Sequence, residues 1–319
     1  MALGTNHVVV GEVPNFVPEL WSDEVVASYK SNLVYANLVR VLNHRGKKGD
    51  TIRIPTPTRG VASDKSFTGQ AQVTLQQHGT DAGIVVSIDK HKEYSRLIED
   101  ITDVQALESL RRFYTDDAGY AIATAIDLDL IFEAADAGFD TLVRNADDTI
   151  DATSGLDTVY EGDGSAWNQQ GSTDISDAGI RTFVKVLDDV DAPMAGRAMV
   201  VPTIVKSDLL GLARFTEQAF TGEVAGSNSI RNGLVGDIYG VEVYVTTQMP
   251  IVEDSGGNAD NILGQMFQRD ATLLVEQMGV RVQNQYKQEY LADLMTADAI
   301  YGVKNLRPGS IVNFVVPST

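Results

Sequence analysis

Stretches of helical and of strand-like spacing alternate along the chain, and their order says more than any single motif. Met1 to about Pro18 has little periodicity and contains Pro14 and Pro18, so it reads as an extended arm without a core of its own. Ser22 is an N-cap candidate, with Asp23 and Glu24 in the first turn, where carboxylates favour the exposed N–H groups. Val25, Val26, Tyr29, Leu33, Ala36, Leu38 and Leu42 then fall at helical spacing, which predicts a helix that stops around Asn43 to Gly49.

The period changes next. Thr51-Ile52-Arg53-Ile54-Pro55 alternates as a strand, Pro55 and Pro57 mark an edge or an exit, and Thr58 to Gly69 is polar and small. Gln72-Val73-Thr74-Leu75 and Gly83-Ile84-Val85-Val86-Ser87-Ile88 supply further strands, so the region reads as a long two- or three-stranded hairpin with a flexible tip. Such a ribbon is marginal in water alone, and nothing obvious within a single copy supports it.

From about Ile98 to Gly138 the spacing is helical again. Ile98, Ile101, Val104, Leu107, Leu110 and Phe113 recur by threes, followed by Ala118, Ile122, Ala125, Ile126, Leu128 and Ile131. A helix approaching about 40 residues far exceeds the usual three or four turns and suggests a spine packed along a domain. Gly119 is its weak point, worth about 1 kcal/mol against alanine, where a kink or break is allowed.

Asp140 to Asp174 is Gly-, Asp- and Ser-rich and reads as loop with short strands. Ser176 to Val190 is an amphipathic helix, Ala198 to Val201 a buried strand, Thr203 to Leu212 a short helix, and Gly240 to Val245 an alternating strand after a Gly/Asn/Ser loop at Phe215 to Gly233. Strands are expected at Ala271–Met278, Gly279–Gln285, Ala299–Lys304 and Ser310–Val316, with a helical or strand segment at Lys287–Met295. The fold class is α+β, without internal repeat or low-complexity tract.

Composition narrows the field. A length of 319 residues suggests two or three sub-domains, and 43% hydrophobic with 22% charged residues is ordinary for a folded soluble protein. No basic-then-apolar leader starts at Met1, and no apolar run nears the roughly 18 residues of a membrane span. With zero cysteines, disulfides and thiolate sites are excluded. The net charge is -19, yet the part up to Leu97 is about +2, leaving about -21 for the rest. A basic knot of Arg40, Arg45, Lys47, Lys48, Arg53 and Arg59 lies in that first part, so a basic arm facing an acidic body, including that of a neighbouring copy, is one reading and a solvated surface the other. The acidic body repels phosphate, which argues against tight nucleic-acid binding.

Chemistry is hard to find. His7, His44, His78 and His91 are scattered, with none at a ligand spacing to another. No nucleophile elbow, phosphate loop or zinc-protease motif is present, and Gly46-Lys47-Lys48-Gly49-Asp50-Thr51 has the wrong spacing and reads as a turn. Asp127 and Asp129 lie two apart on a helix and so face different ways; Asp147, Asp148 and Asp151 lack the pattern of a calcium loop. Trp21 and Trp167 read as buried anchors. The expectation is no catalytic residue, no metal and no cofactor.

Several stretches resemble one family. Asn15-Phe16-Val17-Pro18-Glu19-Leu20-Trp21-Ser22 is similar to the opening of tailed-bacteriophage major capsid proteins, and Gly49-Asp50-Thr51-Ile52-Arg53-Ile54-Pro55 to the start of their extended loop. Tyr114 to Ala123 with Ile126-Asp127 resembles the middle of their spine helix, and Gly233 to Val243 their "G-x-x-G-x-I-x-G-x-x-V" strand lead-in. The four stretches occur in the family's order across most of the chain.

The resemblance implies the phage capsid fold, shared with herpesvirus shells and encapsulins. It places an N-terminal arm and helix at about 1–48, an extended loop (E-loop) at 49–96, a peripheral domain with the spine helix at 97–172 plus 276–319, and an axial domain at 173–275. The extended loop then lies on a neighbour, with Arg53, Arg59 and Lys65 expected against Glu99, Asp100, Asp103 and Glu108 of the next copy's spine helix. The implied function is a homo-oligomeric shell of hexamers and pentamers enclosing double-stranded DNA without tight specific binding, assembled in the host cytoplasm and resident in the virion. Scaffolding protein and portal are the implied partners, with a decoration protein as a further candidate and no membrane. One relative cross-links through a lysine in this loop and an asparagine elsewhere; Lys65 is in the loop tip, but no partner asparagine or promoting acid is identifiable, so that chemistry is not carried over. An encapsulin-type compartment shares the fold and is the alternative, with a carboxylate-dependent hydrolase a distant third.

Overall fold

The computed structural model describes residues 34–56, 60, 62–65, 82–100, 110–151, 154–156, 158–212, 237–257 and 259–318. The arm expected at Met1–Pro18, the strand at Gln72–Leu75, and Trp21, His7 and His78 lie outside them.

A long helix ties two sheets together. Its residues Leu110–Ala135 (α2 below) rise about 39 Å and run through Gly119 without a break. Ala118 and Ile122 meet Met295, Ala297 and Ala299. Leu130, Ile131 and Ala134 pack with Tyr35 and Phe267, while Phe132 and Ala135 face Trp167, Leu263 and Val315. Apolar residues on several sides suit a helix enclosed by other elements along much of its length. The next carbonyls are capped from the other sheet: Asn313 Nδ2 donates to Ala134 and Ala135 at 3.2 and 3.1 Å, and Gln265 Nε2 to Ile131 at 3.1 Å.

The first sheet has four strands, β1 (Arg40–Asn43), β13 (Thr272–Lys287), β14 (Ala292–Asn305) and β4 (Lys90–Glu99), in that spatial order. Three expectations fail here. The helix predicted to run through Leu42 is reduced, among the described residues, to α1 (Tyr35–Leu38), and Arg40–Asn43 instead pairs in parallel with Leu273–Glu276. Val41 and Leu42 are 48% and 36% exposed, so they form no inward helix face; pairing with a distant strand overrides local periodicity. Likewise Ile98 does not begin a helix. Ile98 and Glu99 end β4, opposite Asp293 and Ala292. The strand break expected at Gly279 is absent: β13 continues through irregularities at Glu276/Met278 and Met278/Arg281. The ambiguous Lys287–Met295 segment is the turn from β13 into β14.

The second sheet has seven strands in the order β7 (Val159–Glu161), β15 (Ile311–Pro317), β12 (Asn261–Gln268), β8 (Arg197–Val201), β10 (Val241–Val245) and β9 (Asp237–Ile238), with β11 (Ile251–Val252) also on β12. The chain's last strand, assigned from sequence to the peripheral part, runs here. Helices α3 (Asp177–Asp189) and α4 (Thr203–Gly211) occupy the predicted places. Ser176 Oγ caps α3 by accepting from Gly179 N at 3.1 Å. Ile180, Phe183 and Leu187, spaced by three and four, sink into a core with Met199, Val205, Leu209 and Met266, and Phe183 stacks on Phe314 at 4.7 Å. A short pair, β5 (Phe139–Thr141) with β6 (Gly155–Leu156), forms its own ladder and packs Phe139 against Leu263 and Val315 of the second sheet.

The predicted ribbon is present as β2 (Thr51–Thr56) and β3 (Ala82–Ser87), paired antiparallel. Its base is not unsupported. Ile52, Ile54, Ile84, Val86 and Ile88 cluster with Leu273, Val275 and Ile300 of the first sheet, so one face of the ribbon root packs within its own subunit. Trp167 is a buried anchor, as read from sequence, with Nε1 donating to Gly171 O at 2.6 Å.

Candidate functional site

Strand alternation sorts the ribbon's residues. Ile52 and Ile54 turn inward, so Arg53 turns outward and is exposed, opposite the exposed Val85. Lys65 is exposed as well. Arg59, Asp103 and Glu108 lie outside the described residues. Glu99 and Asp100 are both exposed, but neither is on the Leu110–Ala135 helix where they were expected: Glu99 closes β4, and Asp100 N bonds Leu291 O at 3.1 Å while its carboxylate accepts from Tyr286 at 2.7 Å. Within one subunit these acids therefore sit at the tip of the β13–β14 hairpin, where Tyr290 and Leu291 are 64% and 66% exposed.

The basic knot divides in two. Arg45 pairs with Glu276 at 2.6 Å and Arg40 approaches Asp270 at 3.9 Å, whereas Lys47, Lys48 and Arg53 face solvent. Gln277 Nε2 donates to the carbonyls of Lys47 and Gly49 at 3.2 and 3.0 Å. The irregular part of β13 thus grips the strand that leads out into the ribbon.

Asp127 and Asp129 are 1% and 2% exposed, which the sequence reading missed. The available signal was two acids inside the apolar run Ala121 to Ile131. Asp127 accepts the backbone N–H groups of Val34, Tyr35 and Ala36 at 2.9, 3.2 and 2.9 Å, satisfying the open N-terminus of α1. Burial pushes its carboxyl above the ordinary value, and the three N–H bonds offset this only in part. Asp129 receives Lys92 at 3.1 Å, Lys90 at 3.5 Å, Arg144 at 3.0 Å and the Tyr301 hydroxyl at 2.8 Å. Burial alone pushes this carboxyl up, but the Tyr301 hydroxyl and the two lysine charges more than reverse it, leaving it below the ordinary value. Both acids bind parts of their own chain.

A cleft of about 360 Å³ opens between α1 and the second sheet, lined by Asn37, Leu38, Arg197, Glu242, Tyr244 and Arg269 among others. Within it Arg197 is held by Asp188 at 2.7 Å, and Glu242 accepts from the Tyr244 hydroxyl at 2.7 Å. His91 contacts Asp298 at 3.3 Å, alongside Arg281 at 2.8 Å. Among the described residues no three His, Cys, Asp or Glu side chains come together as a metal site. No described helix is long and apolar enough to cross a membrane.

No protein-family model matches the chain, and no curated protein does. Solved structures do. A chain from Mycobacterium phage Che8 is 24% identical with a TM-score of 0.69, covering 94% of this chain and 97% of its own. One from the capsid of cyanophage P-SCSP1u is 18% identical at a TM-score of 0.74, covering 99% and 97%. A third, from the capsid of a native GTA particle, is 14% identical at 0.64, covering 99% and 100%. Agreement over nearly the full length of each chain shows that this α+β chain has the fold of phage capsid subunits.

Proposed function

We propose that the chain is the major capsid protein of a tailed phage and that its work is geometric. The near end-to-end match to a cyanophage capsid chain carries this reading. Hexamers and pentamers of the chain form an icosahedral shell around double-stranded DNA, through heterologous contacts that close on themselves. In this reading the four-stranded sheet and spine make the peripheral part, and the seven-stranded sheet with α3 and α4 makes the axial part. The shell is assembled in the host cytoplasm with a scaffolding protein and a portal, and a decoration protein is a further candidate partner.

Two sets of exposed residues support contact between copies: Arg53 on the ribbon's outer face together with Lys65, and the hairpin tip with Glu99, Asp100, Tyr290 and Leu291. Each charge pair contributes little alone, but the contact repeats in every subunit of the shell. Arg59 joins the basic set and Asp103 and Glu108 the acidic set in the same proposal. The acidic body suits a wall along which DNA slides during packaging. The test is charge reversal of Arg53, Arg59 and Lys65 to glutamate. Folded subunits that fail to form shells are expected, and wild-type shell yields would remove the ribbon contact from the proposal.

A further inference from the structure

We propose that Asp129 is a positioning residue for assembly, fixing the direction in which the ribbon leaves the body of the subunit. The proposal rests on the capsid reading above. The ribbon's returning strand β3 ends at Ser87, and β4 begins at Lys90. Lys90 and Lys92, two apart on a strand, point to the same face and both reach Oδ2 of Asp129. Arg144, from the loop after β5, reaches Oδ1, and Tyr301 of β14 donates its hydroxyl to Oδ2. One carboxylate, 1% exposed at its side chain, thereby ties β4, the strand that directly follows the ribbon, to the spine, to the neighbouring strand and to a loop of the body.

The outgoing side is held differently. There Arg45 and Glu276 are 55% and 30% exposed at their side chains, and a pair so open to solvent fixes geometry weakly. The outgoing side is thus held by backbone and amide hydrogen bonds with one exposed ion pair, and the returning side by a buried carboxylate, Asp129. Arg144 is also paired with Asp148 at 2.6 Å, so the two cations that depend on the Asp129 charge are Lys90 and Lys92, which without it repel one another beside the ribbon's origin. Buried ion networks are poor sources of net stability but do select one geometry over its alternatives.

The test compares Asp129→Asn, the double variant Lys90→Gln/Lys92→Gln, and Arg144→Gln as a control that perturbs the same carboxylate without touching the ribbon. Folded fraction is read by circular dichroism, shell-borne fraction by sedimentation velocity, and ribbon order by amide hydrogen exchange of unassembled subunits. In the first two variants, shell yield per folded chain is expected to fall by about tenfold or more, with exchange accelerated in Ala82–Glu99 and unchanged in Asn261–Gln268 and Ile311–Pro317. Arg144→Gln is expected to keep its yield per folded chain. Yields that follow lost stability alike in all three variants overturn the proposal, as does unaltered exchange of β3 and β4 in Asp129→Asn. If the wild-type chain forms no shells, the capsid reading fails, and the exchange comparison alone decides whether Asp129 orders the ribbon.

Discussion

The carbonyl oxygen of Ser87 occupies the space that a side chain on Gly302 would need. A Cβ there meets Ser87 O as well as Ile88 Cα at 3.1 Å, so the ribbon's root crosses β14 where β14 has no side chain. Both obstacles are backbone and cannot rotate aside. Gly302→Ala is expected to lift the root off Leu273 and Val275 and to cost about 1–3 kcal/mol, read as a lower thermal midpoint. An unchanged midpoint with unchanged protection of Val86 and Ile88 contradicts the contact.

Asp127 makes a second prediction. Asp127→Ala removes the acceptor of three backbone N–H groups, two of them on the buried Val34 and Tyr35. A loss of about 2–4 kcal/mol in urea unfolding is expected. Asp127→Asn retains an acceptor oxygen and is expected to lose less. Equal losses for the two variants contradict the capping role.

How much of this was legible without coordinates depended on how local each signal was. The spine's Ile122 and Ile131 and the Ile180–Phe183–Leu187 stripe are written within one or two helical turns, and the sequence shows them; the Ser176 cap is equally local but was not singled out. Arg40–Asn43 failed because what decides its conformation is Leu273–Glu276, far along the chain. The helix start expected at Ile98 failed in the same way, since Ile98 and Glu99 pair with Asp293 and Ala292. The buried Asp127 and Asp129 were visible as acids in an apolar run, but their partners come from four other segments. Of the expected contact residues, Arg53, Lys65, Glu99 and Asp100 are exposed, and Arg59, Asp103 and Glu108 fall outside the described residues.

Acid should act through Asp129. Its carboxyl is held below the ordinary value in the fold, so the stability it contributes is present above the unfolded value near 3.9 and is lost as pH falls through the lower folded value. The difference in unfolding free energy between wild type and Asp129→Asn is therefore expected to shrink as pH drops below about 4. A difference constant between pH 7 and about 3 contradicts this assignment.

The second core offers a test of packing alone. Phe183 is fully buried and stacked on Phe314. Phe183→Ala is expected to cost about 3–5 kcal/mol and Phe183→Leu markedly less, by thermal or urea unfolding. Similar costs for both rule out a cavity as the cause.

The most direct test is to express the full chain, with a scaffolding protein where needed, and image the purified product by cryo-electron microscopy. The expected result is closed shells of five- and six-fold clusters, in which the ribbon of each subunit lies on a neighbour. A stable monomer under all these conditions contradicts the capsid reading.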